Sequence, residues 1–421
     1  MIRKWALRAI VTYVLFGIAM YAYLFYLADT SIPEMLQGTK ADPTTFLNSR
    51  ELMLSEEYSR IRNLIFFLAT PYEWLFYYLI LIFGISSAFE RWADKTSKLF
   101  VVKIAIYLFW LSLVSFIVMY PLSYLSYMIS KSYNISTQIF SSWMKDKWID
   151  FWVDYGMMFV IITVLYALMR KFKKRWWLAA WLLSIPFSIF MMFIQPVLID
   201  PLYNDFYPLK DKELEAKILE IADEANIPAE HVYEVDMSSK TNSLNAYVTG
   251  VGSNSRIVLW DTTLERLSDE EILFIMAHEM GHYVEKHIYI GIAGYLLLTL
   301  VGLWITAKIM ERWVNKRGKL WKVEKMTNIG TLPVFLLITS ILLFAASPLS
   351  NWVSRYQETR ADTYAIEMTG DKEAGIQTFQ SLTKAGLSQV NPPYLVKIFR
   401  YGHPTMLERI TLIEEFRIEE K

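Results

Sequence analysis

The residues in this chain best arranged for chemistry are Ala277-His278-Glu279-Met280-Gly281-His282. On a helix, positions four apart share a face, so His278 and His282 can offer two imidazole nitrogens to one metal ion, a donor type that suits zinc. Glu279 lies beside such an ion, where a carboxylate can take a proton from water. The competing reading is a pair of surface histidines on an amphipathic helix. Only 5 histidines occur in the chain, so two of them flanking a glutamate at this spacing favours the metal. The flanking sequence builds the helix that this requires. Ser268 suits the N-cap, Glu271 falls at the third helical position, and the pattern runs from Asp269 to Glu285.

Two histidines leave zinc short of the three protein ligands of a catalytic site. The chain has no cysteine, so the third ligand must be His, Asp or Glu; thiolate catalysis and disulfides are excluded as well. Finding it requires the layout of the chain. Of 421 residues, 54% are hydrophobic and 16% aromatic, gathered into long apolar runs that exceed what a soluble enzyme carries. Net charge is zero, which gives no footprint for nucleic acid.

Seven segments read as membrane-spanning helices: Ala9–Ala28, Leu64–Phe89, Ile104–Ile129, Phe151–Met169, Trp176–Ile199, Ile288–Met310 and Leu332–Leu349. The first follows Arg3, Lys4 and Arg8 like a signal peptide. It is nevertheless long enough to span a bilayer and lacks a small-residue cleavage site, so it reads as retained. Trp148, Trp152, Trp176, Trp177 and Trp352 stand at span ends as interfacial anchors. Pro71, Pro121, Pro186 and Pro196 are expected to kink or end helices. Glu73 and Asp154, within or near spans, are functional candidates, against the plainer reading of a polar or interfacial neighbour.

Between and after the spans lie two water-compatible stretches. The first should contain a helix over Lys210–Asn226, strands near His231–Met237, Asn245–Gly250 and Arg256–Trp260, and then the H-E-x-x-H helix. The second follows Asn351 and reads as helical and charged. The expected division is therefore 1–199 (five spans), 200–287 (first part of an α+β domain that carries the H-E-x-x-H helix), 288–351 (a hairpin of spans six and seven) and 352–421 (the remainder of that domain). The connections 29–63 and 130–149 read as caps of undefined structure.

Two crossings return the chain to its starting side, so residues after Asn351 share a compartment with His278, whereas Glu311 and Glu324 in loop 311–331 do not. In that tail Glu358 and Asp362 lie four apart on one helix face. A carboxylate ligand with a second carboxylate behind it, hydrogen-bonded to a ligand imidazole, would have this form. A solvated face balanced by Arg355 and Arg360 fits the spacing equally well.

The H-E-x-x-H segment followed by Glu358-x-x-x-Asp362 across one helical hairpin resembles the M48 peptidases, specifically the Ste24-type membrane metalloproteases known as CAAX prenyl protease 1. Asn245-Ala246-Tyr247-Val248 is similar to that family's substrate-side strand. His403-Pro404-Thr405-Met406-Leu407-Glu408-Arg409-Ile410 is similar to its C-terminal element, and seven spans match its number. The resemblance implies a multi-pass α-helical membrane protein whose seven helices enclose a chamber, closed by a zincin-type α+β domain. It implies one zinc ion per chain, held by His278, His282 and Glu358, with Glu279 as general base. Asp362 would orient His278 or His282, and His403 and Arg409 would stabilise the oxyanion. Asn245, Ala246 and Tyr247 would hold the substrate backbone by strand addition. Plainer readings stand beside these: a turn at Asn245, a cap at His403, and a salt bridge from Arg409 to Glu408 or Glu414. His231 and His287 read as surface and interfacial residues.

The implied partners are a peptide or protein substrate, lipidated or not, and membrane lipid, with no nucleic acid. The implied activity is peptide-bond hydrolysis, on CAAX-type termini or in membrane-protein quality control. A channel or a non-catalytic scaffold is the rival from another class. The two indications of orientation conflict. Basic residues crowd the N-terminal side, at Arg91, Lys95, Lys98, residues 170–175 and Arg312 to Lys325, which puts the zinc site outside the cytoplasm. The resemblance implies the cytosolic side.

Overall fold

A computed structural model of the chain describes residues 2–227, 231–249, 256–323 and 325–417. Gly250, at the end of one expected strand, and Glu324 lie outside the described residues.

Among the described residues, 7 helices are long and apolar enough to cross a membrane. They include α1 (Ile2–Ala22), α2 (Ser49–Ile82), α4 (Phe100–Ser132), α5 (Phe140–Phe172) and α6 (Trp176–Ile194), with a short amphipathic α3 (Ile85–Thr96) after α2. Most outrun the apolar segments that mark them. α2 starts at Ser49, where Asn48 and Glu51 form a reciprocal capping box, so much of the connection 29–63 is helix. Likewise α5 begins at Phe140 within the connection 130–149. Apolarity marks only the part of a helix that meets lipid.

The expected second span, Leu64–Phe89, is not one helix. Gly84 adopts φ +69°, the left-handed region that glycine enters without a Cβ clash, and ends α2 before Phe89. By contrast, the helices run through Pro71, Pro121 and Pro186. Only Pro196 coincides with an end, where α6 gives way to a five-residue π-helical turn at Gln195.

After α6 the chain forms β1 (Phe206–Pro208), α7 (Lys212–Glu224), β2 (Val232–Val235), β3 (Ala246–Thr249), β4 (Arg256–Trp260), α8 (Asp261–Arg266) and α9 (Asp269–Val284). The sheet order is β1-β2-β4-β3, with β2 parallel to β4 and β3 antiparallel to it, Ala246 opposite Leu259. β3 is therefore an edge strand. The inner face of the sheet packs with α7 and α9 through Ile218, Val232, Leu259 and Met276.

Next come α10 (His287–Trp321) and α11 (Leu332–Thr369), then α12 (Lys372–Gly386), α13 (Tyr394–Arg400) and α14 (Met406–Glu415). The tail after Asn351 does not begin as a separate helix. α11 is continuous over 38 residues, through Pro348, and carries both the last apolar span and the pair Glu358 and Asp362. A core of Phe274, Ala365, Phe379 and Ile413 locks α9, α11, α12 and α14 together. The membrane helices have their own core around Tyr107, Tyr166, Leu332 and Val334.

Candidate active site

Helix α9 begins as its sequence requires. Ser268 Oγ accepts from Glu271 N, and the Glu271 carboxylate accepts from Ser268 N at 2.8 Å. Such caps contribute about 1 kcal/mol each. Farther along, Gly281 faces α11 so closely that a Cβ there would stand 3.1 Å from the Ala361 Cα. The missing side chain lets the two helices approach, and that approach carries Glu358 and Asp362 to the histidines.

Three nitrogen and oxygen donors then converge. His278 Nε2 and His282 Nε2 are 3.3 Å apart, His278 Nε2 is 3.2 Å from Glu358 Oε2, and His282 Nε2 is 3.4 Å from Glu358 Oε1. These three residues form a group able to hold a metal ion. A tetrahedral zinc with bonds of about 2.0–2.1 Å would space its ligands by about 3.3–3.4 Å, so the donor set fits zinc as it stands. Glu358 Oε2 is buried and has no hydrogen-bond partner, a gap that a cation would fill.

The other ring nitrogens are held as well. His278 Nδ1 lies 2.8 Å from Asp362 Oδ1, so Asp362 attends His278 and not His282. His282 Nδ1 lies 2.9 Å from Nδ1 of His287. Two residues separate α9 from α10, and Lys286 in the left-handed conformation turns the chain so that His287 returns to His282. His287 is 7% exposed. Its sequence position, off the H-E-x-x-H face, pointed to an interfacial residue; the sharp turn between the helices puts it behind a candidate ligand instead.

Arg409 is placed differently from its expected oxyanion position. Its Nε and Nη2 donate to Asp362 at 2.8 and 2.5 Å, and its guanidinium stacks 4.0 Å over the Phe379 ring. The side chain is buried behind His278, and its salt-bridge partner is Asp362, not Glu408 or Glu414. Glu408 instead caps α14 with Thr405 and pairs with Lys397. Thr405 is thus the helix cap, which leaves His403 free of that duty. His403 is exposed, with Nε2 3.4 Å from Glu358 Oε2.

Electrostatics follow from this packing. Burial works against a charged His278, but Asp362 and Glu358 overcome it and hold the metal-free imidazole up at about 9. Burial pushes the Glu279 carboxyl above its ordinary value, which makes it a better proton acceptor.

On the sheet side, Asn245 precedes edge strand β3. Its N–H donates to Thr263 Oγ1 at 2.9 Å, and its carbonyl accepts from Trp260 N at 3.1 Å and from Thr263 Oγ1 at 2.8 Å. The Asn245 side chain is exposed, Ala246 is buried against the α9 core and Tyr247 is half-buried. Among the described residues, no strand pairs with the outer edge of β3. Glu73 and Asp154 lie away from this group. Glu73 accepts from Ser340 Oγ at 3.4 Å between α2 and α11.

Known proteins with similar sequences place this arrangement. The family model described as Peptidase family M48 matches residues 208–417, and the one described as CAAX prenyl protease N-terminal, five membrane helices, matches residues 22–205. An uncharacterized metalloprotease of Bacillus subtilis is 51% identical over 413 residues, 98% of this chain and 97% of that protein. CAAX prenyl protease 1 of Saccharomyces cerevisiae is 29% identical over 326 residues, 72% of this chain and 70% of the yeast protein. The crystal structure of S. mikatae Ste24p shares the fold, with a TM-score of 0.79 at 23% identity over 97% of each chain. This chain belongs to peptidase family M48 and is a multi-pass membrane metalloendopeptidase of the Ste24 type.

Proposed function

We propose that the chain hydrolyses peptide bonds at a zinc ion held by His278, His282 and Glu358, on substrates that reach the site from the membrane. The observation that carries the reading is the triangle of donors 3.2–3.4 Å on a side, beside a Glu279 carboxyl with a raised pKa. Zinc, when bound, makes water acidic enough to attack and polarises the scissile carbonyl.

The protein groups do the rest. Glu279 takes the proton from the attacking water and returns it to the leaving amine. Asp362 accepts from His278 Nδ1, which fixes the tautomer that leaves Nε2 for the metal, and His287 does the same for His282. His403 is the side chain placed to donate to the carbonyl oxygen as it gains charge. Asn245, Ala246 and Tyr247 hold the substrate backbone along β3. Arg409 acts through Asp362, as a positioning residue.

Names among the relatives suggest CAAX-type, prenylated substrates; quality-control proteolysis without prenyl specificity is the second reading. Purified protein is incubated with peptides that do or do not carry a farnesylated cysteine, with and without a zinc chelator. Chelator-sensitive cleavage that Glu279→Gln abolishes while zinc is retained is the expected result. Cleavage indifferent to the lipid discards the prenyl specialism, and full activity in Glu279→Gln overturns the mechanism.

A further inference from the structure

The membrane face opposite the candidate active site carries a cavity of about 370 Å³ that peptide hydrolysis does not use. It lies where α1 begins, α2 ends, α10 ends and α11 begins. The candidate zinc ligands stand a full span away, just before the start of α10 and near the end of α11. Cavities of about 300–1,000 Å³ are the ordinary size for binding a ligand. The walls here are mostly hydrocarbon and aromatic, with Trp5 from α1, Leu81 from α2, Leu320 from α10 and Leu337 from α11. Arg312, Lys316 and Arg317 of α10 complete the lining, and no carboxylate shares it. Leu81 and Leu337 are buried while the three cations are exposed, so the cavity has an apolar floor and a basic mouth.

The charge at that mouth is unmatched. On the same side of the membrane Lys103 pairs with Asp94 at 2.6 Å. Among the described residues, no ion pair involves Arg312, Lys316 or Arg317, nor Arg3, Lys4 or Arg8 on the adjacent first turns of α1. An aromatic ring gathers two of them instead. The Trp5 ring centroid lies 5.9 Å from the Arg317 guanidinium and 5.3 Å from that of Arg8, so cations of two helices meet at one indole.

A basic helix end is ordinary by itself, since the α10 dipole and the loop charge bias both favour cations there. Neither calls for a hydrocarbon-walled space behind the charges. Water gains little in such a space, because it offers few polar partners. Depth adds to the argument. Arg312 follows directly on the apolar run Ile288–Met310, which puts the cations at headgroup level, whereas Leu337 lies inside the apolar run of α11. The occupant must therefore present an apolar chain to the floor and an anionic group to the mouth.

We propose that this cavity binds one anionic phospholipid, with an acyl chain against Leu81, Leu320 and Leu337 and its phosphate among Arg312, Lys316 and Arg317. The guanidinium groups meet phosphate oxygens through paired N–H donors, and Lys316 adds a point charge. Basic pockets between membrane helices recognise anionic headgroups through the same combination. The lipid ties α1 and α2 to α10 and α11 at the end of the bundle remote from the metal. This is a proposal about binding, and it stands whether or not the protein cleaves peptides.

The test titrates full-length protein in detergent, freed of co-purified lipid, with phosphatidylglycerol or with phosphatidylcholine of the same acyl chains. Native mass spectrometry counts the lipid bound per chain. One phosphatidylglycerol should bind about 10- to 100-fold more tightly than phosphatidylcholine, the order that about two cations near a headgroup supply. In Arg312→Gln/Lys316→Gln/Arg317→Gln that preference falls toward one. Lys171→Gln/Lys173→Gln/Lys174→Gln removes as many charges from the turn between α5 and α6 on the same side, and it should keep the preference. Leu320→Trp fills the cavity with the cations in place and should weaken both lipids. Should the first triple variant not fold, Lys316→Gln alone gives a partial loss. Equal binding of the two lipids by wild-type protein, or an unchanged preference in Arg312→Gln/Lys316→Gln/Arg317→Gln, overturns the proposal. Equal losses in the two triple variants would leave bulk charge as the cause and overturn it too. Full binding in Leu320→Trp, or displacement of the lipid by an equal concentration of glycerol phosphate, would remove the acyl chain from the site.

Discussion

Gly281 on α9 and Ala361 on α11 meet with nothing between their backbones. A Cβ on Gly281 would stand 3.1 Å from the Ala361 Cα and 3.2 Å from the Tyr364 Cβ, and Ala361 is fully buried. Because His278 and His282 flank this contact on one helix and Glu358 and Asp362 flank it on the other, the crossing distance sets the size of the metal triangle. Gly281→Ala should cost about 1–3 kcal/mol through overpacking and lower zinc occupancy; Gly281→Leu should abolish it. Thermal unfolding together with zinc per chain, measured on purified protein, checks both. Wild-type occupancy in Gly281→Leu would show that the crossing does not set the site.

His287 gives a second prediction. Its contact with His282 Nδ1 leaves Nε2 of that ring for the metal. Loss of such outer partners costs about 10- to 100-fold in metal affinity. His287→Phe keeps most of the packing and should show that loss in competition with a chromogenic chelator, whereas His287→Gln, with an acceptor oxygen, should recover part of it. Equal affinity in His287→Phe and wild type would assign His287 to packing alone.

Zinc uptake should also depend on pH in a defined direction. In the metal-free protein both nitrogens of His278 face carboxylates, and its pKa is raised from 6.5 to about 9. The protonated form dominates below about 9, yet the metal needs the neutral ring. Affinity should therefore rise by up to about tenfold per pH unit through pH 7 and 8 and level off above about 9, with one proton released from this ring for each zinc bound. Calorimetry in buffers of different ionisation enthalpy counts that proton. A flat affinity between pH 7 and 9 would place His278 neutral before the metal arrives.

Much of this site is legible in the sequence because it is local. The H-E-x-x-H spacing, the Ser268 to Glu271 capping box and the four-residue step from Glu358 to Asp362 are all periodic features of one helix. Counting two membrane crossings then puts Glu358 on the correct side without any structure. Helix ends are less legible. Polar turns such as Ser49 to Arg60 and Lys145 to Asp150 lack the apolar signal of a span although they continue its helix. The contacts of His287 and Arg409 are not legible at all, since each depends on a turn or on an approach between segments far apart in the chain, which no periodicity encodes.

Arg409 offers the sharpest distinction between two roles. An oxyanion donor would face the substrate, and its removal would lower kcat while leaving the fold untouched. In this structure Arg409 and Asp362 are 6% and 0% exposed, and the guanidinium grips both carboxylate oxygens. Taking away one partner of a buried ion pair strands the other charge, at about 3–5 kcal/mol. Arg409→Ala should therefore lower the melting temperature and the zinc affinity together, because a displaced Asp362 no longer orients His278. Removing both charges should hurt stability less than the sum of the single changes, as the double variant Asp362→Ala/Arg409→Ala leaves no stranded ion. Arg409→Lys keeps the charge but not the two-pronged contact, so it should fall between Arg409→Ala and wild type. A variant Arg409→Ala with wild-type melting and zinc affinity but depressed kcat would return the residue to the oxyanion.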